Sequence, residues 1–351
     1  MASNPSPLRV AVCGAGAFGC NHLRVYRELE QATGSVHLAA ILEVDAARAR
    51  ALSEEWKVPA FTSLDAMLAA RSSGDLAVDA ASVCVPTSLH HAVAAPLLRA
   101  GIDLLIEKPI AASEAEADDL VALAHRHGRV VQTGHLERFN PAVLAVQPLL
   151  NQPMFFEAHR LSIFTPRALD VDVVLDLMIH DLDIVLSFVD SPVREIHAVG
   201  LPILSSKTDI ANVRLEFASG CVANFTASRV STEQVRKLRF FQPHQYISLD
   251  YARRDVLVID VDAKSGAAAP SSVPGLPAGL AFNRPAVSPA EPLRLEIESF
   301  LNAVRTRSTP KVSAEDGRAA LALALEINRA IAAHAERAGL RKFRRDSRGG
   351  V

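Results

Sequence analysis

The chain has only four cysteines in 351 residues, and Cys13, Cys20, Cys84 and Cys221 form no CxxC pair. They read as buried, reduced thiols, which suits a reducing cytosol. No apolar run is long enough to span a bilayer, and Met1–Leu8 lacks the apolar core of a signal peptide, so no membrane partner is expected and the expected location is the cytoplasm. A formal net charge of -2 gives no electrostatic case for a nucleic-acid partner. The one basic cluster, Arg337, Arg341, Lys342, Arg344, Arg345 and Arg348, reads as a solvated tail over 336–351. No internal repeat is visible. What remains is a chain with 49% hydrophobic and 22% charged residues, too long for one ordinary core and suited to two domains.

Those domains differ in pattern. Up to residue 140, short apolar runs (Leu8–Cys13, Val36–Glu43, Ala80–Val85, Asp103–Glu107, Arg129–Thr133) alternate with helical stretches (Asn21–Gln31, Ala46–Glu55, His90–Ala100, Ser113–His127). This alternation predicts a doubly wound parallel sheet, an α/β Rossmann domain over 1–140. From 141 to 335 the runs Met154–Phe164, Val193–Leu204, Ile210–Phe217, Cys221–Val230, Arg236–Phe241 and Tyr246–Asp262 read as strands, several of which alternate polar and apolar residues. They predict an α+β domain whose largely antiparallel sheet has one open face. A helix over Val171–Phe188 interrupts the strands. Ala263–Pro292 reads as a long loop, and Leu295–Arg305 and Ala314–Ala335 as closing helices able to pack back on the first domain.

Four constellations carry chemistry. Gly14-Ala15-Gly16-Ala17-Phe18-Gly19 follows a strand and opens a helix, so backbone N–H groups at Gly14, Gly16, Ala17, Phe18 and Gly19 can approach a pyrophosphate. Glu43, at the end of the next strand, can accept both ribose hydroxyls of NAD and would repel the 2′-phosphate of NADP, with Asp45 the alternate acid. Pro86, Thr87 and His90 follow the Ala80–Val85 strand, where ligands of open α/β sheets lie. Glu107-Lys108-Pro109 puts a lysine at the same sheet edge, where burial beside a carbonyl would lower its pKa and suit it to proton exchange. Asp176, His180 and Asp183 fall at i, i+4 and i+7, a polar seam beside the apolar stripe Leu175, Ile179, Leu182 and Leu186. Asp176 can orient His180 and raise its basicity. Two carboxylates and a histidine can also hold a metal, but a further ligand would be needed and none is evident, so no metal is expected.

The order and spacing of Gly14-x-Gly16-x-x-Gly19-x-x-His22, Glu107-Lys108-Pro109 and Asp176-x-x-x-His180-x-x-Asp183 resemble the Gfo/Idh/MocA oxidoreductases, and the likeness extends to the closing helices. The resemblance implies NAD chemistry at a hydroxyl, with Lys108, Asp176 and His180 as the catalytic residues and a homo-oligomer formed through the C-terminal sheet. Met178 stands where that family usually has glycine, so the backbone before His180 can differ. A narrower match runs through Gly134–Pro141, Arg160–Arg167 and Val173–Asp181. It resembles the branch that oxidises the 3-hydroxyl of UDP-N-acetylglucosamine, whose product a partner aminotransferase converts to the 3-amino sugar of lipid A. That resemblance implies a nucleotide-sugar substrate met by His135, Arg138, Asn140, Arg160, Arg167 and His180, the arginines facing the diphosphate. Dehydrogenation of another sugar or cyclitol, or a non-catalytic NAD-sensing role, are the alternatives the residues leave open.

Overall fold

The structure, a computed structural model, describes residues 6–164, 171–261 and 280–340. They fall into two compact units, one drawn from 1–136 and 291–321, the other from 137–290 and 322–351. In the first unit the strands β1 (Leu8–Cys13), β2 (Val36–Leu42), β3 (Ala60–Phe61), β4 (Ala80–Val83), β5 (Asp103–Glu107) and β6 (Val131–Gly134) pair in parallel in the order β3-β2-β1-β4-β5-β6. The chain order reverses between β1 and β4, the switch point where ligands of doubly wound sheets sit. Between the strands lie α1 (Ala17–Thr33), α2 (Ala46–Trp56), α3 (Leu64–Ser73), α4 (His90–Arg99) and α5 (Glu114–His127). Asp45, Ser63 and Ser113 each accept a backbone N–H in the first turn of a helix, which fixes where α2, α3 and α5 begin.

The second unit holds α6 (Pro141–Val146), β7 (Phe155–Ile163), α7 (Ile179–Phe188), β8 (Val193–Leu201), β9 (Ile210–Phe217), β10 (Val222–Ser231), β11 (Val235–Gln242), β12 (Gln245–Asp250), β13 (Asp255–Val261) and β14 (Leu280–Asn283). They form one sheet in the order β14-β13-β12-β11-β7-β10-β9-β8. Its pairs are antiparallel except β7 with β10, so the sheet is largely antiparallel as expected but not wholly so. Alternation sets its faces. Phe156, Val213, Phe225, Phe240, Ile247 and Val258 are buried on one side, and Phe156 stacks on Phe240 with ring centroids 5.3 Å apart. The other face carries half-exposed residues in register, with Phe155 opposite Phe241, Phe241 opposite Tyr246, and Tyr246 opposite Ile259.

The chain closes with α8 (Pro292–Thr306) and α9 (Ala314–Arg337). The stretch 291–321 joins the first unit because α8 buries Leu293, Ile297, Phe300, Leu301 and Val304 in the core that α1 shares with β1. At roughly 1.5–3 kcal/mol for each fully buried side chain, that stripe outweighs the half-exposed Arg24–Glu291 ion pair at the start of α8, which contributes at most about 1 kcal/mol. Beyond α8, the Thr133 N–H donates to Val312 O and the Thr133 hydroxyl to Ser313 O, which sews the segment to β6.

Three expectations need correction. Tyr246–Asp262 is not one strand, because residues 251–254 turn between β12 and β13 and Arg254 takes φ 53°. The stretch read as loop contains β14. The helix expected over Val171–Phe188 begins with a π-helical turn, Val174–Met178, in which the Ile179 N–H reaches Val174 O, five residues back.

Candidate active site

The glycine turn is built so that only glycine fits two of its positions. A Cβ on Gly14 would lie 2.7 Å from Val85 N, and φ there is +87°. One on Gly19 would lie 1.9 Å from Gly14 O. Gly16 is the N-cap of the 17-residue helix α1, and nothing lies within 4 Å of where its Cβ would be. Gly16, Ala17 and Phe18 are exposed, so the first N–H groups of α1 face open space, as a pyrophosphate cradle requires. Glu43 stands at the end of β2. Its Oε2 accepts from Ala15 N at 3.3 Å and its Oε1 from Asp45 N at 3.2 Å. Asp45, the alternate acid, instead caps α2. Arg48, which sequence reasoning missed, lies with Nε 3.6 Å from Glu43 and donates to Ala15 O. The residues present fit a dinucleotide.

At the end of β4, Pro86 is exposed and Thr87 opens a short 3-10 turn, Thr87–Leu89. His90 departs from its expected role. It is buried, with ring nitrogens 2.8 Å from Pro109 O and 2.9 Å from Val85 O, and burial pushes its pKa down. It braces the Lys108-Pro109 turn against the loop after β4 rather than facing a cofactor. Glu107 also points inward, where its Oε1 lies 3.1 Å from His22 Nε2 and its carboxylate packs on Gly134, leaving no space for a Cβ there. His22 in turn lies 3.0 Å from the Ser82 hydroxyl, which is 2.8 Å from Tyr26 OH. Lys108 follows at the edge of β5, partly exposed.

In the second unit, Asp172 accepts the N–H groups of Val174 and Leu175 and so starts the π-helical turn. Asp176 and His180 are both partly exposed, whereas Asp183 is buried with Arg138 Nη1 at 3.4 Å. The three therefore do not form one seam of equal exposure, and Asp183 belongs to the interior. Arg229, at the end of β10, was not singled out from the sequence. Its Nη2 donates to Val171 O at 2.5 Å and lies 4.0 Å from Asp176, and its Nε is 3.8 Å from Asp209.

Of the residues expected to meet the nucleotide sugar, several hold the framework together. Arg160 is 3% exposed and pairs through Nε and Nη2 with Asp181, at 2.7 and 3.0 Å, and through Nη1 with Glu137 at 3.1 Å. Its guanidinium also lies over the Tyr251 ring. Asn140 caps α6 through Ala142 N and donates to Glu137 and Tyr251 O. His135 is buried, and Arg138 is mostly so. Sequence reading saw the cations but not the carboxylates that the fold brings to them. Arg167 lies outside the described residues.

A glycine turn at the switch point of a parallel sheet, opening a helix and followed by an acid at the end of β2, defines a dinucleotide-binding oxidoreductase. Residues 8–135 match the oxidoreductase family with an NAD-binding Rossmann fold, and residues 145–242 match the GFO/IDH/MocA C-terminal domain. The chain belongs to the GFO/IDH/MocA family and is an NAD-dependent oxidoreductase. It is 35% identical to a UDP-N-acetylglucosamine 3-dehydrogenase of Acidithiobacillus ferrooxidans, over 94% of this chain and 99% of the relative. A solved structure of that enzyme matches with TM-score 0.83 and 34% identity, over 93% of this chain and 98% of the other. An inositol 2-dehydrogenase of Corynebacterium glutamicum is 31% identical over 51% of this chain and 53% of its own length.

Proposed function

We propose that the chain oxidises the 3-hydroxyl of UDP-N-acetylglucosamine to the ketone, with NAD as the acceptor. The observation that carries this reading is the near full-length likeness, in sequence and in fold, to an enzyme of that activity. When bound, the cofactor supplies the hydride acceptor. The glycine turn and Glu43 hold it, through its pyrophosphate and adenosine ribose. His180 takes the proton of the substrate hydroxyl and Asp176 keeps the imidazole oriented and basic, while Lys108 hydrogen-bonds the oxygen and stabilises the negative charge that develops on it. Lys108 as the base is the alternative assignment. Arg229 Nη2 lies 4.0 Å from Asp176 and so helps to position its carboxylate.

The 3-keto product is a substrate for an aminotransferase, whose 3-amino sugar would serve lipid A synthesis. The enzyme works in the cytoplasm as a homo-oligomer packed through the half-exposed face of its large sheet. A second reading, a cyclitol dehydrogenase, draws on the partial match to an inositol 2-dehydrogenase. NADH formation measured across UDP-N-acetylglucosamine, other nucleotide sugars, free sugars and inositols separates the two. The proposal expects kcat/KM to be highest for UDP-N-acetylglucosamine. A higher value for a free cyclitol would transfer the assignment to the second reading.

A further inference from the structure

Asp209 immediately precedes β9 and is fully buried. Its Oδ2 accepts the N–H groups of Ile203, Leu204 and Ser205 at 2.7, 2.6 and 2.8 Å, and its Oδ1 the Ser205 hydroxyl at 2.7 Å. Burial disfavours the charged form, but these donors outweigh it and hold the carboxyl below the usual carboxylate range. The Asp209 N–H donates to Leu201 O at 2.9 Å, so backbone and side chain are both fixed. On β10, the Arg229 N–H donates to Asp209 O at 3.0 Å, and Arg229 Nε lies 3.8 Å from Oδ1. The Arg229 side chain is only 7% exposed. Its Nη2 donates to Val171 O at 2.5 Å and lies 4.0 Å from Asp176. Beside that bond the Val173 N–H donates to Thr208 O at 2.9 Å. The segment 171–178 is thus held twice by the corner of the sheet where Asp209 and Arg229 meet. Within the segment, Asp172 accepts from Val174 and Leu175, and the π-helical turn closes from the Ile179 N–H to Val174 O. Those bonds shape the turn but do not tie it to the sheet. All of these groups belong to the second unit.

We propose that Asp209 is a positioning residue for the oxidation: through Arg229 it fixes the π-helical turn against the sheet and so places the Asp176 carboxylate that orients His180. The inference rests on the proposed role of Asp176 in the proton transfer. A buried arginine–aspartate pair adds little net stability over apolar residues of similar volume, so stability alone does not account for one at this corner. What a guanidinium adds is reach in two fixed directions at once, toward Asp209 from Nε and to Val171 O from Nη2. A lysine ammonium carries the charge without the planar fork. A shift of the turn by about 1 Å carries Asp176 with it, and a displacement of that size costs up to about 10²-fold in rate. The 202–209 connection thereby governs kcat, while the glycine turn, in the other unit, keeps its hold on the cofactor.

Steady-state oxidation of UDP-N-acetylglucosamine by the full-length protein tests it, with NAD affinity read by calorimetry and folding by circular dichroism. Arg229→Lys and Asp209→Asn should each lower kcat by up to about 10²-fold, with the Kd for NAD unchanged. A double-mutant cycle separates positioning from plain structural support. Where Arg229 acts through Asp176, Arg229→Lys costs little further kcat once Asp176→Asn is present. A merely structural role makes the two losses multiply. Ser205→Ala keeps the ion pair and removes one donor to Asp209, so it serves where the buried-pair variants do not fold. It should lower kcat in the same direction by a smaller factor, and the same cycle with Asp176→Asn applies to it. Unchanged kcat in every folded variant, or losses that multiply with that of Asp176→Asn, overturns the proposal. The underlying readings fail differently. A parent that oxidises the sugar with kcat insensitive to Asp176→Asn removes the role of Asp176, and this inference with it. A parent that binds NAD but does not oxidise the sugar removes the proposed activity and everything built on it.

Discussion

Glu43 and Arg48 sit together at the end of β2, and each has a different preference for the adenosine ribose. The carboxylate suits two ribose hydroxyls, whereas a free guanidinium suits a 2′-phosphate. With Glu43 present, Arg48 is paired to it and to Ala15 O. Glu43→Ala should therefore weaken NAD binding and release Arg48 to accept NADP, and the double variant Glu43→Ala with Arg48→Ala should lose the gain. Cofactor titrations on the three proteins check this, and comparable kcat/KM for both cofactors in the parent would contradict it. At the reacting end, Lys108→Ala and His180→Ala should each lower kcat by about 10²–10⁴-fold, while NAD affinity measured by calorimetry stays nearly unchanged. Turnover like the parent's in both would mean the chemistry lies elsewhere. Lys108, Asp176 and His180 were legible as candidates because their motifs have spacing. Arg48 and Arg229 were not, since each matters only through a neighbour distant in the chain.

At the scale of elements, alternation of period two predicted β9 and β10 closely, because each strand has one buried face. The same signal ran β12 and β13 together, since the turn between them has no glycine or proline and Arg254 adopts a positive φ without one. The π-helical turn before α7 has no signature either, because it differs from an α-helix only in which carbonyl each N–H reaches. Arg160 shows the other kind of failure. As a cation on a strand it suggested a diphosphate, but Asp181 lies 21 positions along the chain and across the packing, and only the fold reveals the pair. Removing one partner of a buried ion pair leaves the other charge stranded, at a cost of roughly 3–5 kcal/mol. Arg160→Ala should lower stability on that scale in denaturant unfolding. A variant of unchanged stability with a raised KM for the nucleotide sugar would restore Arg160 to the substrate.

For the whole molecule, the half-exposed row Phe155, Phe241, Tyr246 and Ile259 crosses four strands of the large sheet, with ring centroids 5.6 Å apart for Phe155–Phe241 and 5.1 Å for Phe241–Tyr246. Such a row on a half-exposed sheet face is what the proposed homo-oligomer would bury. Sedimentation at micromolar concentration should find a dimer or tetramer, and Phe241→Asp should shift it to smaller species; a monomeric parent would overturn the assignment. The central claim concerns one bond, the C–H at the 3-position of the sugar. Supplying UDP-N-acetylglucosamine deuterated at C3 with NAD tests it most directly, with the reduced cofactor recovered and its isotope content read by mass spectrometry. The account predicts that the deuterium appears on the cofactor as the 3-keto sugar forms. Reduced cofactor without deuterium, or no reduced cofactor from this substrate, would contradict it.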